Sequence, residues 1–129
     1  MANEAVCIIA PTKIVTRVCA EGTTIPKGTI LKLSGTNTVA ASSADNDVFG
    51  GIAIEEFTGG EGLTHIGVAM DGVFDIKTAG TITRGAVVNI SGANEVNTSA
   101  AGDLLTGSVV GYMEETGDGG LNRVRLRGY

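Results

Sequence analysis

Apolar residues along this chain come in short runs separated by turns rich in Gly, Asn and Ser, a pattern of brief β-strands rather than of helices. Residues 29–33 and 86–90 read as strands. Each is led in by a Thr-Ile step and a basic-Gly turn and closed by Ser-Gly and Asn, which supply the positive φ of a tight turn. Short strands follow at Val39 and Val96, then polar stretches at 42–47 and 99–103, then strands at 51–54 and 108–112. Gly-rich turns at 58–62 and 116–120 lead to alternating strands near Val68 and Val124. Helices are disfavoured because the few Gly-free stretches are broken by Pro11 or filled with Ser, Asn, Asp and Thr, as in 36–49, where at most one helical turn fits. The expected fold is all-β: a small β-sandwich or partly open barrel, β-tulip-like, built from two tandem copies of one β-motif with an N-terminal arm or hairpin.

The tandem copies are visible as a repeat at an offset of 57 residues, running from Thr24-Ile25-Pro26-Lys27-Gly28 against Thr81-Ile82-Thr83-Arg84-Gly85 to Ser34-Gly35 against Ser91-Gly92. It continues as Ser42 with Ser99, Ala44 with Ala101, Gly50 with Gly107 and Ile52 with Val109, and with small gaps as Glu55-Glu56 with Glu114-Glu115. The chain is therefore read as one domain, 1–129, with an arm or hairpin over 1–22, a first motif over 23–79 and a second over 80–129. Residues 5–10 and 13–20 lie outside the repeat, where an exposed edge of a duplicated fold would need cover.

Composition sharpens this picture. With no Trp, three Phe and two Tyr, the core must come from aliphatic side chains. Charged residues are only 18% of the chain and mean hydropathy is +0.24, so part of the surface is expected to meet a partner. A net charge of −5 and a pI near 4.7 argue against general binding to nucleic acid or to an anionic membrane, since both demand a cationic face. Met1-Ala2-Asn3-Glu4 carries no positive n-region, and synthesis in a cytoplasm is expected. Cys7 and Cys19 would face each other across a hairpin turning near Lys13, yet free thiols are the expectation in a reducing compartment.

Catalytic chemistry finds little footing. His65 is the one histidine and has no partner set for a metal. Glu55-Glu56 and Glu114-Glu115 are adjacent pairs, which on a strand point to opposite faces and do not converge. Asp45-Asn46-Asp47 lacks the rest of a calcium loop, and Gly59-Gly60-Glu61-Gly62 is followed by no Lys and no helix. No enzyme activity and no cofactor are expected. One arrangement concentrates positive charge: Arg123, Arg125 and Arg127 alternate with Val124 and Leu126, which places three guanidinium groups on one strand face. That stripe is either a solvated outer face or a docking site for acidic groups on a partner or a second protomer.

The stretch Ile25-Pro26-Lys27-Gly28-Thr29-Ile30-Leu31, with its Ser-Gly turn, Val39-Ala40, Ala44-Asp45, Gly51-Ile52-Ala53 and the segment 68–72, resembles the head decoration proteins of lambda-like phages and related capsid accessory proteins. The resemblance covers 24–73 and recurs less strictly over 81–128; those proteins carry one such unit with helical additions and a disordered N-terminal arm, whereas this chain carries two units and a short arm. It implies a cement protein, made in the host cytoplasm, that binds the outer surface of an expanded shell of major capsid protein and forms a homo-oligomer, a trimer in that family. The contacts singled out are the N-terminal residues Ala2, Asn3, Glu4, Val6 and Ile8, which could add to a capsid β-edge, and Arg123, Arg125 and Arg127. Alternatives are another virion part, such as a tail or head-fibre subunit; a glycan- or receptor-binding β-module; and an oligomeric enzyme using His65 or the Asp45-Asn46-Asp47 loop.

Overall fold

The computed structural model describes residues 4–19, 24–45, 47–58, 64–99 and 109–126, and among these the chain is all β, with no helix. Two closed five-stranded barrels account for most of it. The first is built from β2 (Ile14–Cys19), β3 (Ile30–Gly35), β4 (Thr38–Ala41), β5 (Phe49–Ala53) and β6 (His65–Ala69), in the order β2-β4-β3-β5-β6. The second uses β7 (Gly72–Thr78), β9 (Val87–Ile90), β10 (Glu95–Thr98), β11 (Val109–Met113) and β13 (Leu121–Leu126), in the order β7-β10-β9-β11-β13, closed by pairing of β13 with β7. Of the sandwich or partly open barrel expected, the chain takes the barrel form, with each ring closed. Closure pairs most of the edge that a five-stranded open sheet would expose. A two-residue pair, β8 (Thr81–Ile82) with β12 (Gly117–Asp118), and β1 (Val6–Ile9) complete the strands.

The ladders show the duplication more sharply than the residues do. Leu31 opposes Gly51 as Val88 opposes Gly111, and Ile30 opposes Ile52 as Val87 opposes Tyr112. The offset is therefore 57 in β3 and β4 but 60 from β5 onward: Gly51 answers to Gly111 and Ile52 to Tyr112, not to Val109, while Gly107 lies outside the described residues. The reason for the shift is an insertion between Ser99 and Val109, where the second copy's connection is longer. The same correction moves the acidic pairs: the N–H of Ile54 donates to Gly67 as that of Glu114 donates to Arg123, so Glu114 answers to Ile54.

Of the arm or hairpin expected at the N-terminus, the hairpin does not form. β1 pairs antiparallel with β7 of the second barrel, and β2 is a full member of the first, pairing with β6 and β4. The first barrel thus begins at Ile14 and the second at Gly72, so each motif includes a strand that the sequence repeat leaves out. What turns β1 away from β2 is Asp71. Its carboxylate accepts from the backbone N–H groups of Thr12 and Lys13, each at 2.8 Å, and from the Thr12 hydroxyl at 2.5 Å, which fixes the chain's exit from β1 beside the β6–β7 turn. Cys7 is consequently exposed on β1 and Cys19 buried in the first barrel, and both are free. Burial pushes the Cys19 thiol up from its ordinary pKa.

One hydrophobic cluster runs through both barrels, from Ile25, Ile52, Phe57 and Val68 to Ile76, Val88, Met113 and Val124, each at most 1% exposed. The barrels also share a polar joint. Asn94, 1% exposed, accepts through Oδ1 the backbone N–H of Ile30 at 2.8 Å, and its own N–H donates to Ser42 Oγ at 3.1 Å. Such buried groups hold together only when their partners are present.

Candidate functional site

The arginine stripe stands where alternation put it. Val124 and Leu126 face the core, 0% and 3% exposed, and Arg123 and Arg125 point outward; Arg127 lies outside the described residues. Neither arginine is a free cation. Arg123 Nε lies 3.6 Å from Asp75 Oδ1 on β7, and Arg125 Nε donates to Glu114 Oε2 at 2.6 Å. The Glu114 carboxylate, with Tyr112 adding a smaller effect, raises the Arg125 pKa above its ordinary value. Because β13 is bonded to β7 on one side and β11 on the other, its outward residues reach Asp75 on β7 and Glu114 just past the end of β11. The stripe is a half-exposed ion-pair network, and a partner's carboxylate would have to compete with Asp75 and Glu114.

The N-terminal candidates divide. Ala2 and Asn3 lie outside the described residues, and Glu4 is half-buried. Val6 is 50% exposed and Ile8 39%, and sequence reasoning did not single out their neighbours Ile9, 50% exposed, and Ile14, 54% exposed. The backbone N–H of Ala5 donates to the carbonyl of Gly28 at 2.8 Å, which ties the start of β1 to the Pro26–Gly28 turn of the first barrel. Between them lies a groove of about 200 Å³, lined by Cys7, Pro11, Ile14, Ile54 and Phe74 among others. Among the described residues, four of the six exposed large apolar side chains therefore gather along β1 and at the head of β2, while Val48 and Leu121 stand apart from them.

The other candidates are tied into local structure. Among the described residues no group of three or more His, Cys, Asp or Glu could hold a metal ion. His65 is exposed and its Nδ1 lies 3.0 Å from the Thr64 hydroxyl. Asp47 accepts from the N–H groups of Ser43 and Ala44, each at 2.9 Å. Burial alone would raise its pKa, but these bonds and the charge of Lys32 bring it below the ordinary value. Asp45 meets Ser91 Oγ at 3.2 Å, so Asp47 is tied within its own loop and Asp45 to the second barrel; Asn46 is outside the described residues. Glu55 accepts from the N–H of Gly67, and Glu115 from Asn122 Nδ2; the adjacent glutamates do not converge.

No protein-family model matches the chain, and no curated protein matches it. Among solved structures it is similar to the N base of the head fibre protein gp8.5 of bacteriophage phi29: 14% sequence identity, a TM-score of 0.59, and a match covering 89% of this chain and 95% of that one. At that identity the likeness is one of fold. The double-barrel architecture, nearly end to end, is shared with that N base.

Proposed function

We propose that this chain is a non-enzymatic structural protein of a phage virion that binds the outer surface of an expanded capsid as a decoration subunit, with the major capsid protein as its partner. The observation that carries this reading is the fold shared over 89% of the chain with the base of a phage head fibre, a part carried by a head. The apolar residues of β1 and β2 and the Arg123–Arg125 network supply docking surface without catalytic groups. A subunit that binds only the expanded shell stabilises it by mass action, and no chemistry is needed. A homo-oligomer, with a trimer favoured by the resemblance to lambda-like decoration proteins, belongs to the same proposal, and the net charge of −5 gives it no reason to engage nucleic acid or membranes.

The likeness to a head-fibre base equally favours a second reading, in which the chain is the anchoring part of a fibre. Mixing the purified protein with undecorated, expanded capsids, followed by sedimentation and cryo-electron microscopy, separates the two. A decoration subunit saturates a defined set of lattice positions and raises the temperature at which the shell opens. A fibre base occupies lattice positions without changing that temperature. No binding to the expanded shell overturns both.

A further inference from the structure

Overlaying the first barrel on the second, ladder by ladder, leaves one strand without a counterpart. Val18 and Cys19 pair with Thr38 and Val39 as Lys77 and Thr78 pair with Glu95 and Val96, in parallel, at one end of the edge. At the other end the barrels differ. Val73 and Asp75 carry β1, whereas Ile14 and Thr16, which take their places opposite β6, carry no strand among the described residues.

Hydrogen bonds fix which way these two residues face. The N–H of Cys19 donates to Thr64 and the N–H of Met70 donates to Lys13, both on the β6 side, while the N–H of Val18 donates to Asn37 on the opposite edge. Alternation along a strand then turns the N–H and C=O of Ile14 and Thr16 toward the open edge. Burial agrees: Ile14 is 54% exposed, while Val73, with β1 alongside, is 0% exposed.

We propose that this open half-edge of β2, at Ile14 and Thr16, is a slot for an extended segment of a different polypeptide, added antiparallel to β2 as β1 is added to β7. The occupied slot defines the occupant's chemistry: a short strand of apolar, β-branched residues of the Val6-Cys7-Ile8-Ile9 kind. Stoichiometry excludes this chain's own strand as the source. Each copy has two such half-edges and one β1, so exchange of β1 among any number of copies leaves one half-edge per copy open. Direct pairing of two β2 edges is opposed by charge. The one antiparallel register that engages both Ile14 and Thr16 pairs each with the other across a two-fold centred on Val15, and it sets Lys13 opposite Arg17 on one sheet face. Like charges directly opposed destabilise a strand pair. The same two basic residues favour an incoming strand flanked by carboxylates, as Glu4 flanks β1. The slot is independent of whether the partner is a capsid subunit.

The test uses the full chain and a peptide of residues 4–10 carrying Cys7→Ser, with amide hydrogen exchange read residue by residue. The expected result is saturation at one peptide per chain, with exchange of the Ile14 and Thr16 amides slowed about tenfold or more and that of Val73 and Asp75 unchanged. Thr16→Pro removes the outward donor at an edge position where proline is tolerated and is expected to abolish the effect. If that variant fails to fold, Ile14→Asp, at an exposed position, is expected to weaken peptide binding about tenfold by removing apolar contact. Unchanged exchange at both amides at millimolar peptide overturns the proposal. So does protection confined to Val73 and Asp75, where the peptide merely replaces β1, and so does protection that needs no peptide and grows with protein concentration, where a second copy closes the edge.

Discussion

Asn37 and Asn94 occupy the same turn in the two copies, both with φ of 53°, a left-handed conformation that asparagine tolerates better than other residues with a Cβ. Their side chains have diverged in use. Asn37 Oδ1 accepts from Arg17 at the surface at 3.0 Å, whereas Asn94 Oδ1 accepts the buried N–H of Ile30. Replacing either by Ala incurs the backbone cost of roughly 1–2 kcal/mol. Asn94→Ala additionally strands a buried donor, so it is expected to cost about 1–3 kcal/mol more than Asn37→Ala in urea denaturation. Equal losses would mean that the joint between the barrels contributes nothing. The repeated Asn was legible in the sequence as a turn residue, but its reach across to Ile30 was not, because nothing local distinguishes an asparagine at the surface from one facing a second barrel. Arg123 and Arg125 tell the reverse story: alternation placed them correctly on an outer face, and only the neighbouring strands revealed Asp75 and Glu114 beside them.

At the level of elements, the strands inside the repeat could be read directly, since 29–33, 86–90 and the segments around Val39, Val96 and Val124 carry the apolar pattern in both copies. β2 and β7 escaped notice as a pair. Ile14-Val15-Thr16-Arg17 and Val73-Phe74-Asp75-Ile76 perform the same role with no identical residue between them, so the repeat seemed to start later than it does. Arm and hairpin could not be separated in the sequence for a related reason: a short link with a proline suits either, and the residue that redirects it, Asp71, is distant in sequence. The Thr12 hydroxyl, then the Lys13 and Thr12 backbone donors, hold the Asp71 pKa below its ordinary value of 3.8. A carboxylate lowered on folding stabilises the native state above its unfolded pKa, and that stabilisation is lost as pH falls through the folded value. The melting temperature of the wild type should therefore exceed that of Asp71→Ala at neutral pH, with the gap narrowing below about pH 4. A gap that stays constant down to pH 2 would show that the clamp does not depend on the charge.

The chain visits the two barrels out of turn: β1 lies along β7 of the second, β2 to β6 form the first, and the strands from β7 onward form the second. The two barrels thus follow one another along the chain and are joined by the β1–β7 ladder, by a common hydrophobic cluster and by Asn94. Heating is expected to give one transition whose calorimetric and van't Hoff enthalpies agree. Two resolved transitions would mean that the barrels unfold separately despite their shared core.

β7 carries β1 on one edge and β13 on the other, both antiparallel to it, so the first and last described strands run parallel to each other on either side of one central strand. A pull on the two ends of the chain is therefore directed along the strands in opposite senses. Ladder hydrogen bonds lie across that direction and share the load together instead of opening one after another. Tension between the ends meets β7 as a shear clamp whose weaker side is the short, bulged β1 ladder.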